Sequence, residues 1–232
     1  MQDNFSKEYI ADLEEAIHYQ FGNLNFIREA LSHPSLRQVN GLNKNYERLE
    51  FLGDSILGFL VTELIFHRYK DSEEGMLAKV KAHTVSRETI VKIANEINLA
   101  KYIIMTDGEE RSGGRENDNN IENTMEALVA AIYLDSDIER TRLVIGNLWS
   151  DHINNIDFSL VDPKTYLQEW LQNEDGNMPT YKVIERTGPV HAPTFTVQVI
   201  ASAHNQIAEG KSIKEAEKNA ARTLIKKIID KK

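Results

Sequence analysis

Three carboxylates recur at positions 47, 50 and 54 within Asn45–Leu60, NYERLEFLGDSILGFL. On a helix that turns about 100° per residue, Glu47, Glu50 and Asp54 fall inside roughly a 60° arc. Leu49, Leu52, Ile56 and Leu60 lie on the opposite side. Like charges at this spacing repel one another. A hard cation relieves that repulsion, and carboxylate oxygens are the donors that Mg²⁺ prefers. The chemistry this pattern offers is therefore metal-assisted hydrolysis. Gly53 disfavours the helix by about 1 kcal/mol relative to Ala, which a closely packed neighbour would explain. Phe51 lies near the acidic side, where an exposed aromatic ring suits a partner surface.

A second acidic element, Ile121–Asp135 (IENTMEALVAAIYLD), places Glu126 one turn after Asn123. Two such helices side by side could assemble a carboxylate-rich site. Spacing alone is equally satisfied by exposed helices with solvated acids. The seven histidines show no metal-ligand spacing, and HExxH, P-loop and GxGxxG patterns are missing.

These two helices belong to a first part that reads as helical throughout. Acid- and apolar-periodic stretches cover residues 7–20, 24–31, 44–69, 75–97 and 121–135, with another near 138–154. Asp107–Asn120 (DGEERSGGRENDNN) reads as a long loop, functional or mobile. Asn154–Pro163 reads as the boundary, with 156–162 as linker between domains at 1–155 and 163–232.

The second part changes character. Lys164–Asn173 is an amphipathic helix, and Thr180–Arg186, Thr194–Ala201 and Asn205–Glu209 read as strands separated by Gly and Pro turns. Ser212 with Glu215 forms a capping box, followed by Ile213, Ala216, Ala220, Leu224 and Ile228 at helical spacing. The order α-β-β-β-α predicts an α+β module with both helices on one face of a three-stranded sheet. Lys211, Lys214 and Lys218 gather at the start of its last helix, where phosphates are favoured by the helix dipole.

Composition sharpens the division. The net charge is −9, but residues 161–232 hold 11 basic and 9 acidic residues, whereas residues 1–160 hold 16 and 27. Lys211–Lys232 alone holds 8 basic and 3 acidic residues. An acidic part and a basic end imply two tasks. No apolar run is long enough to span a membrane. The start of the chain lacks the basic and apolar stretches of a signal peptide. There is no cysteine, so disulfides and thiolate metal sites are excluded. A cytoplasmic location is expected.

The segment Glu47-Arg48-Leu49-Glu50-Phe51-Leu52-Gly53-Asp54-Ser55 resembles the ribonuclease III signature. Leu31-Ser32-His33-Pro34-Ser35, Gly108–Arg115 and Thr124-Met125-Glu126-Ala127-Leu128 are similar to further motifs of that family, and residues 164–228 resemble its double-stranded RNA-binding domain. The resemblance covers nearly the whole chain. It implies an all-α nuclease domain followed by the α+β RNA-binding domain, acting as a homodimer. The implied activity is Mg²⁺-dependent cleavage of both strands of duplex RNA, with Mn²⁺ as substitute ion, leaving short 3′ overhangs in the processing of rRNA and mRNA precursors.

By motif position, the resemblance makes Glu50, Asp54, Asn123 and Glu126 metal ligands, with Asp54, Glu126 and Glu47 in catalytic roles. It gives Phe51 and Glu74 to the dimer surface. Gln168, Gln172 and His191 become minor-groove contacts, and Lys211, Lys214 and Lys218 phosphate contacts. Two departures stand out. The family usually has Asp at the place of Asn123, whose amide oxygen can ligate Mg²⁺ but brings no charge, and a further Lys where Ile213 stands. Glu122 shares a face with Glu126 and is a candidate to compensate. The alternative reading is a duplex-RNA-binding protein whose nuclease site is weakened or silent because of Asn123. An acidic helical hydrolase of small phosphorylated molecules is disfavoured by the RNA-binding module.

Overall fold

The computed structural model describes residues 5–36, 44–174, 176–189 and 191–229. The chain divides into two compact units, Met1–Asn155 and Ile156–Lys232. The first four residues of the N-terminal stretch, and Lys231 and Lys232 of the basic tail, lie outside the described residues.

The first unit is helical. It runs α1 (Lys7–Ala16), α2 (Leu24–Ala30), α3 (Glu47–Arg68), α4 (Glu74–Thr84), α5 (Arg87–Glu96), α6 (Asp107–Arg111), α7 (Asp118–Asp135) and α8 (Ile138–Asn154). Side-chain caps fix most of the starts. Ser6, Asn23, Ser86, Thr106, Asn117 and Asp137 each accept a hydrogen bond from a backbone N–H in the first turn of the helix that follows. The cap at Ser86 divides the 75–97 stretch, read from periodicity as one element, into α4 and α5. Thr89 N–H turns to Ser86 Oγ and the chain changes direction there.

The middle of helix α7, Ala127–Ile132, is buried on every side. Ile121, Met125, Leu128, Val129 and Ile132 are all buried, and Ala127, Ala130 and Ala131 let neighbours approach closely. A helix hydrophobic all round belongs in a core. Its contact with α3 is the most extensive between any two helices among the described residues. Its last residue, Asp135, accepts hydrogen bonds from Tyr19 Oη at 2.7 Å and from the backbone N–H groups of Gly22 and Asn23 at 2.8 Å each, fastening the start of α2 to the end of α7.

Asp107–Asn120 is ordered structure, contrary to the expectation of a long loop. It contains α6 and the first turn of α7, and charge-rich composition concealed both. Arg115 explains the order. Its Nη1 donates to the carbonyls of Ala100, Lys101 and Ile103 at 2.7–3.0 Å, and its Nε donates to Glu110 at 2.9 Å.

The second unit begins with a short helix, α9 (Phe158–Val161), inside the stretch read as linker. α9 packs on the helices that follow. Then come α10 (Pro163–Glu174), β1 (Thr180–Thr187), β2 (Thr194–Ala201), β3 (His204–Gly210) and α11 (Ile213–Ile229). The strands form an antiparallel sheet in the order β1-β2-β3, with Val183 opposite Val197 and Gln198 opposite Ile207. Both helices cover one face. Leu167 and Leu171 from α10, Val199 and Ala201 from β2, and Ala220, Leu224 and Ile228 from α11 make one buried cluster. Ile213, grouped with that apolar stripe by spacing, is 44% exposed because it sits at the first turn, beyond the sheet's reach.

Candidate functional site

The acidic arc of α3 borders its contact with α7, with Glu47 and Asp54 exposed and Glu50 half-buried, and Gly53 sets how close that contact is. A Cβ at Gly53 would overlap the carbonyl oxygen of Glu126 and stand 2.5 Å from its carbonyl carbon. Only a residue without a side chain lets the two helices meet at this height. The meeting sets Glu50 and Asp54, on either side of Gly53, against Glu126.

The charges feel one another strongly. Burial, followed by the charges of Asp54, Glu122 and Glu50, pushes the Glu126 carboxyl up to about 8. Burial, followed by Glu47, Glu122 and Asp54, also raises Glu50. Five carboxylates thus share one electrostatic neighbourhood. Four of them were singled out by spacing and motif; Glu122 is the fifth, and its charge adds to the rise at both Glu50 and Glu126. Among the described residues, however, no three carboxylate or imidazole groups converge tightly enough to cage an ion by themselves. An open set of oxygen donors suits Mg²⁺, which keeps several waters and takes only one or two carboxylates from a protein. The close helix approach, the all-oxygen donors and the crowded negative charge fit such an ion.

Asn45 positions Glu47. Its Oδ1 accepts from the Glu47 N–H and its Nδ2 donates to Glu47 Oε2, both at 3.1 Å, so one buried amide starts α3 and steadies its first acid. Behind the carboxylates lies a buried polar hub that spacing did not reveal. Ser35 N–H donates to His33 Nδ1 at 3.0 Å, which leaves the ring proton on Nε2. That proton goes to Asn120 Oδ1 at 3.2 Å, and Tyr46 Oη donates to the same oxygen at 3.3 Å. Asn120 Nδ2 donates to the Gly114 carbonyl at 2.8 Å. Gly114 itself admits no side chain, since a Cβ there would lie 2.9 Å from the Glu109 carbonyl oxygen. Burial pushes the Tyr46 phenol up to about 12; the Asn123 side chain, which reaches the same hydroxyl, works against that rise. The hub therefore joins the three segments around His33, Tyr46 and Gly114 to the start of α7, and borders Asn123. The signal for it was a set of separate polar motifs with no local reason to be there.

Phe51 is 81% exposed on the first turns of α3. Phe59 and Phe66, further along the same helix, are 54% and 63% exposed, and with Phe51 they span roughly 80° of the helix surface. Glu74 is exposed in the first turn of α4.

In the second unit, Gln168 and Gln172 lie one turn apart on α10, and the Gln172 amide also reaches Met178 Sδ at 3.5 Å. His191 is exposed in the turn before β2. Lys211, Lys214 and Lys218 are exposed around the start of α11. Ser212 Oγ accepts from the Glu215 N–H at 3.2 Å, while the Glu215 carboxylate reaches back to the Lys211 N–H at 2.8 Å. The capping box closes one residue further out than its usual form. Lys164, which spacing did not single out, ties α10 to α11 through Glu217 at 2.6 Å.

Comparison with known proteins places these features in a family. Residues 23–151 match the ribonuclease-III-like family model, and residues 163–228 match the double-stranded RNA binding motif. Ribonuclease 3 of Rickettsia bellii (strain OSU 85-389) is 51% identical over 223 residues, covering 95% of this chain and 98% of the relative. Ribonuclease 3 of Rickettsia felis is 51% identical over 218 residues, covering 93% and 97%. A crystal structure of the ribonuclease III nuclease domain from Campylobacter jejuni is 34% identical with a TM-score of 0.59, covering 68% of this chain and all of that domain. Another structure of that domain, described for flexibility in the region involved in dimer formation, is 35% identical with a TM-score of 0.58, covering 61% and 96%. With one family model spanning more than half of the chain and relatives half identical along almost all of it, the chain belongs to the ribonuclease III family.

Proposed function

We propose that this ribonuclease III-type endoribonuclease cuts both strands of duplex RNA with the help of Mg²⁺, or Mn²⁺ in its place, and leaves short 3′ overhangs. The observation that carries the reading is the crowding of Glu50, Asp54 and Glu126 around the Gly53–Glu126 contact, which leaves Glu126 at about 8 without a cation. Glu50, Asp54, Asn123 and Glu126 hold the ion. When bound, it lowers the pKa of a water nucleophile and neutralises charge gathering on the phosphate. Asp54 and Glu126 orient that water and keep the proton balance at the reacting centre. Glu47, steadied by Asn45, stands beside them as an acidic partner toward RNA. An acidic face by itself repels RNA, so affinity comes from elsewhere.

The second domain, 163–232, supplies it, joined to the nuclease domain, 1–155, through 156–162. The major groove of A-form RNA is closed to side chains, so duplexes are read through phosphates and 2′-hydroxyls. Lys211, Lys214 and Lys218 meet phosphates, while Gln168, Gln172 and His191 meet the minor groove. Two copies pair through the α3 face bearing Phe51, with Glu74 at its margin. Among the described residues no helix is long and apolar enough to cross a membrane. The enzyme works in the cytoplasm on precursors of rRNA and mRNA.

The deciding experiment incubates a labelled RNA hairpin with the protein in Mg²⁺, Mn²⁺ or EDTA. Metal-dependent cuts are expected, and Asp54→Asn should abolish them while sparing RNA binding. Undiminished cutting by Asp54→Asn would overturn the site. Binding without cuts in either metal would favour the second reading, a duplex-RNA-binding protein silenced at Asn123.

A further inference from the structure

Position 123, where the family usually carries a carboxylate, offers the site an amide with one oxygen end and one nitrogen end. Glu122, the candidate to compensate for the missing charge, has its carboxylate taken by Arg87 Nε at 2.5 Å. What the site receives therefore depends on which end of the Asn123 amide faces it. The buried hub decides this, because backbone groups fix its polarity at both ends. The Ser35 N–H can only donate, so His33 Nδ1 accepts at 3.0 Å and Nε2 carries the ring proton toward Asn120. The Gly114 carbonyl can only accept, so the Asn120 nitrogen faces it at 2.8 Å. A flipped Asn120 would also set its oxygen against Glu109 Oε1, which stands 3.5 Å from the nitrogen. Asn120 Oδ1 therefore faces Tyr46, and the single proton of the Tyr46 hydroxyl is spent on it at 3.3 Å. Only lone pairs remain on that hydroxyl.

Asn123 follows Asn120 by three residues on α7 and precedes Glu126 by three, so the three side chains succeed one another along the helix from the hub to the acids. The Asn123 side chain hydrogen-bonds the Tyr46 hydroxyl. To a hydroxyl with no proton left to give, Asn123 can offer only its Nδ2 hydrogens. Its Oδ1 is thereby turned away from the hub. We infer that Tyr46 is the positioning residue that presents the Asn123 amide oxygen to the cation, so that an amide can stand where the family has Asp. The inference rests on the metal-site reading above. A carboxylate at this place needs no such hold, since either end of it is an oxygen. The competing view is that Tyr46 only fills the core around His33 and Asn120, and that the Asn123 amide turns freely.

Two measurements on the full chain separate these views without any turnover, and the first needs no metal. In EDTA, the side-chain amide protons of Asn123 are identified in nitrogen-edited NMR spectra by their loss in Asn123→Asp. They should exchange slowly with water, and Tyr46→Phe, which keeps the buried ring, should speed that exchange about tenfold, as expected for a lost hydrogen bond of ordinary strength. In the second measurement free Mn²⁺ is counted by electron paramagnetic resonance. Tyr46→Phe should weaken Mn²⁺ binding about tenfold, the lower end of what losing the partner behind a metal ligand costs. In the Asn123→Asp background the same substitution should change Mn²⁺ affinity by about threefold or less, because a carboxylate needs no orienting. A Tyr46 that only packs would weaken both backgrounds alike, and that result would overturn the inference. So would fast amide exchange in the parent, or exchange that Tyr46→Phe leaves unchanged. Asp54→Asn serves as the control. If it leaves Mn²⁺ binding unchanged, the metal-site reading is wrong and the inference falls with it; a loss in Asp54→Asn with none in Tyr46→Phe faults Tyr46 alone.

Discussion

Glu126 illustrates what a single residue's environment implies. Its carboxyl is held up to about 8 by burial and by Asp54, Glu122 and Glu50. In the unfolded chain it titrates near the ordinary carboxylate value. Between roughly pH 4.5 and 8 the folded, metal-free protein therefore holds a proton that the unfolded chain releases, and stability falls as pH rises through that window. Glu126→Gln removes the dependence. In EDTA the variant should match the parent in unfolding temperature near pH 5 and exceed it by several degrees at pH 8.5. A parent with equal unfolding temperatures at both pH values would contradict this assignment. Asn120 makes a second case, in stability rather than charge. It is buried and bonded to His33, Tyr46 and Gly114. Asn120→Leu takes this partner from the His33 ring N–H and the Gly114 carbonyl, at about 1–3 kcal/mol for each one left buried, while the Tyr46 hydroxyl keeps Asn123. Urea unfolding should show a loss of at least about 2 kcal/mol. No loss would mean the hub is replaceable.

At the scale of elements, the relation of sequence to structure becomes uneven in an instructive way. The acidic arc and leucine face of α3 were legible because helical period is a local property. So was the α-β-β-β-α order, through alternation and turn residues. The close approach at Gly53 was legible only as a question, since a mid-helix glycine announces a neighbour without naming it. Arg87, Asn120 and Arg115 were not legible as a set, because each acts on residues from 5 to 87 positions away. The order within Asp107–Asn120 was missed for the same reason: Arg115 holds it through distant carbonyls. Gly53→Ala tests helix propensity directly against packing. Propensity alone predicts a gain of about 1 kcal/mol. The overlap with Glu126 predicts the reverse: α3 and α7 must part, stability should fall by 1–3 kcal/mol as in an overpacked core, and cleavage should be lost. A stabilised, active Gly53→Ala protein would show that the helices do not meet as described.

At the scale of the whole molecule, the split charge and the bare aromatic face each point to a partner. Lys214→Ala with Lys218→Ala should weaken duplex binding at every sequence and flatten the dependence of log K on log salt by roughly 0.7–0.9 per lost phosphate contact. An unchanged slope would remove these lysines from the RNA surface. Phe51 concerns the second partner. A ring 81% exposed contributes little to its own domain, so Phe51→Ala should leave the unfolding temperature of an isolated copy unaltered. In a two-fold dimer, however, every contact is made twice. Burying an aromatic ring removes about 150–250 Å² from water, at about 25 cal/mol per Å² of apolar surface. Two such rings account for several kcal/mol, so Phe51→Ala should raise the dimer dissociation constant at least about a hundredfold in sedimentation equilibrium. Phe59→Ala and Phe66→Ala discriminate further: weakened dimers in all three variants would mean that the interface follows α3 along its length, whereas an effect confined to Phe51 would mean that it is seated at the acidic end, beside Glu50 and Asp54. In the second case metal binding and dimerisation share a helix turn, and Mn²⁺ should tighten the dimer of the parent protein but not that of Asp54→Asn.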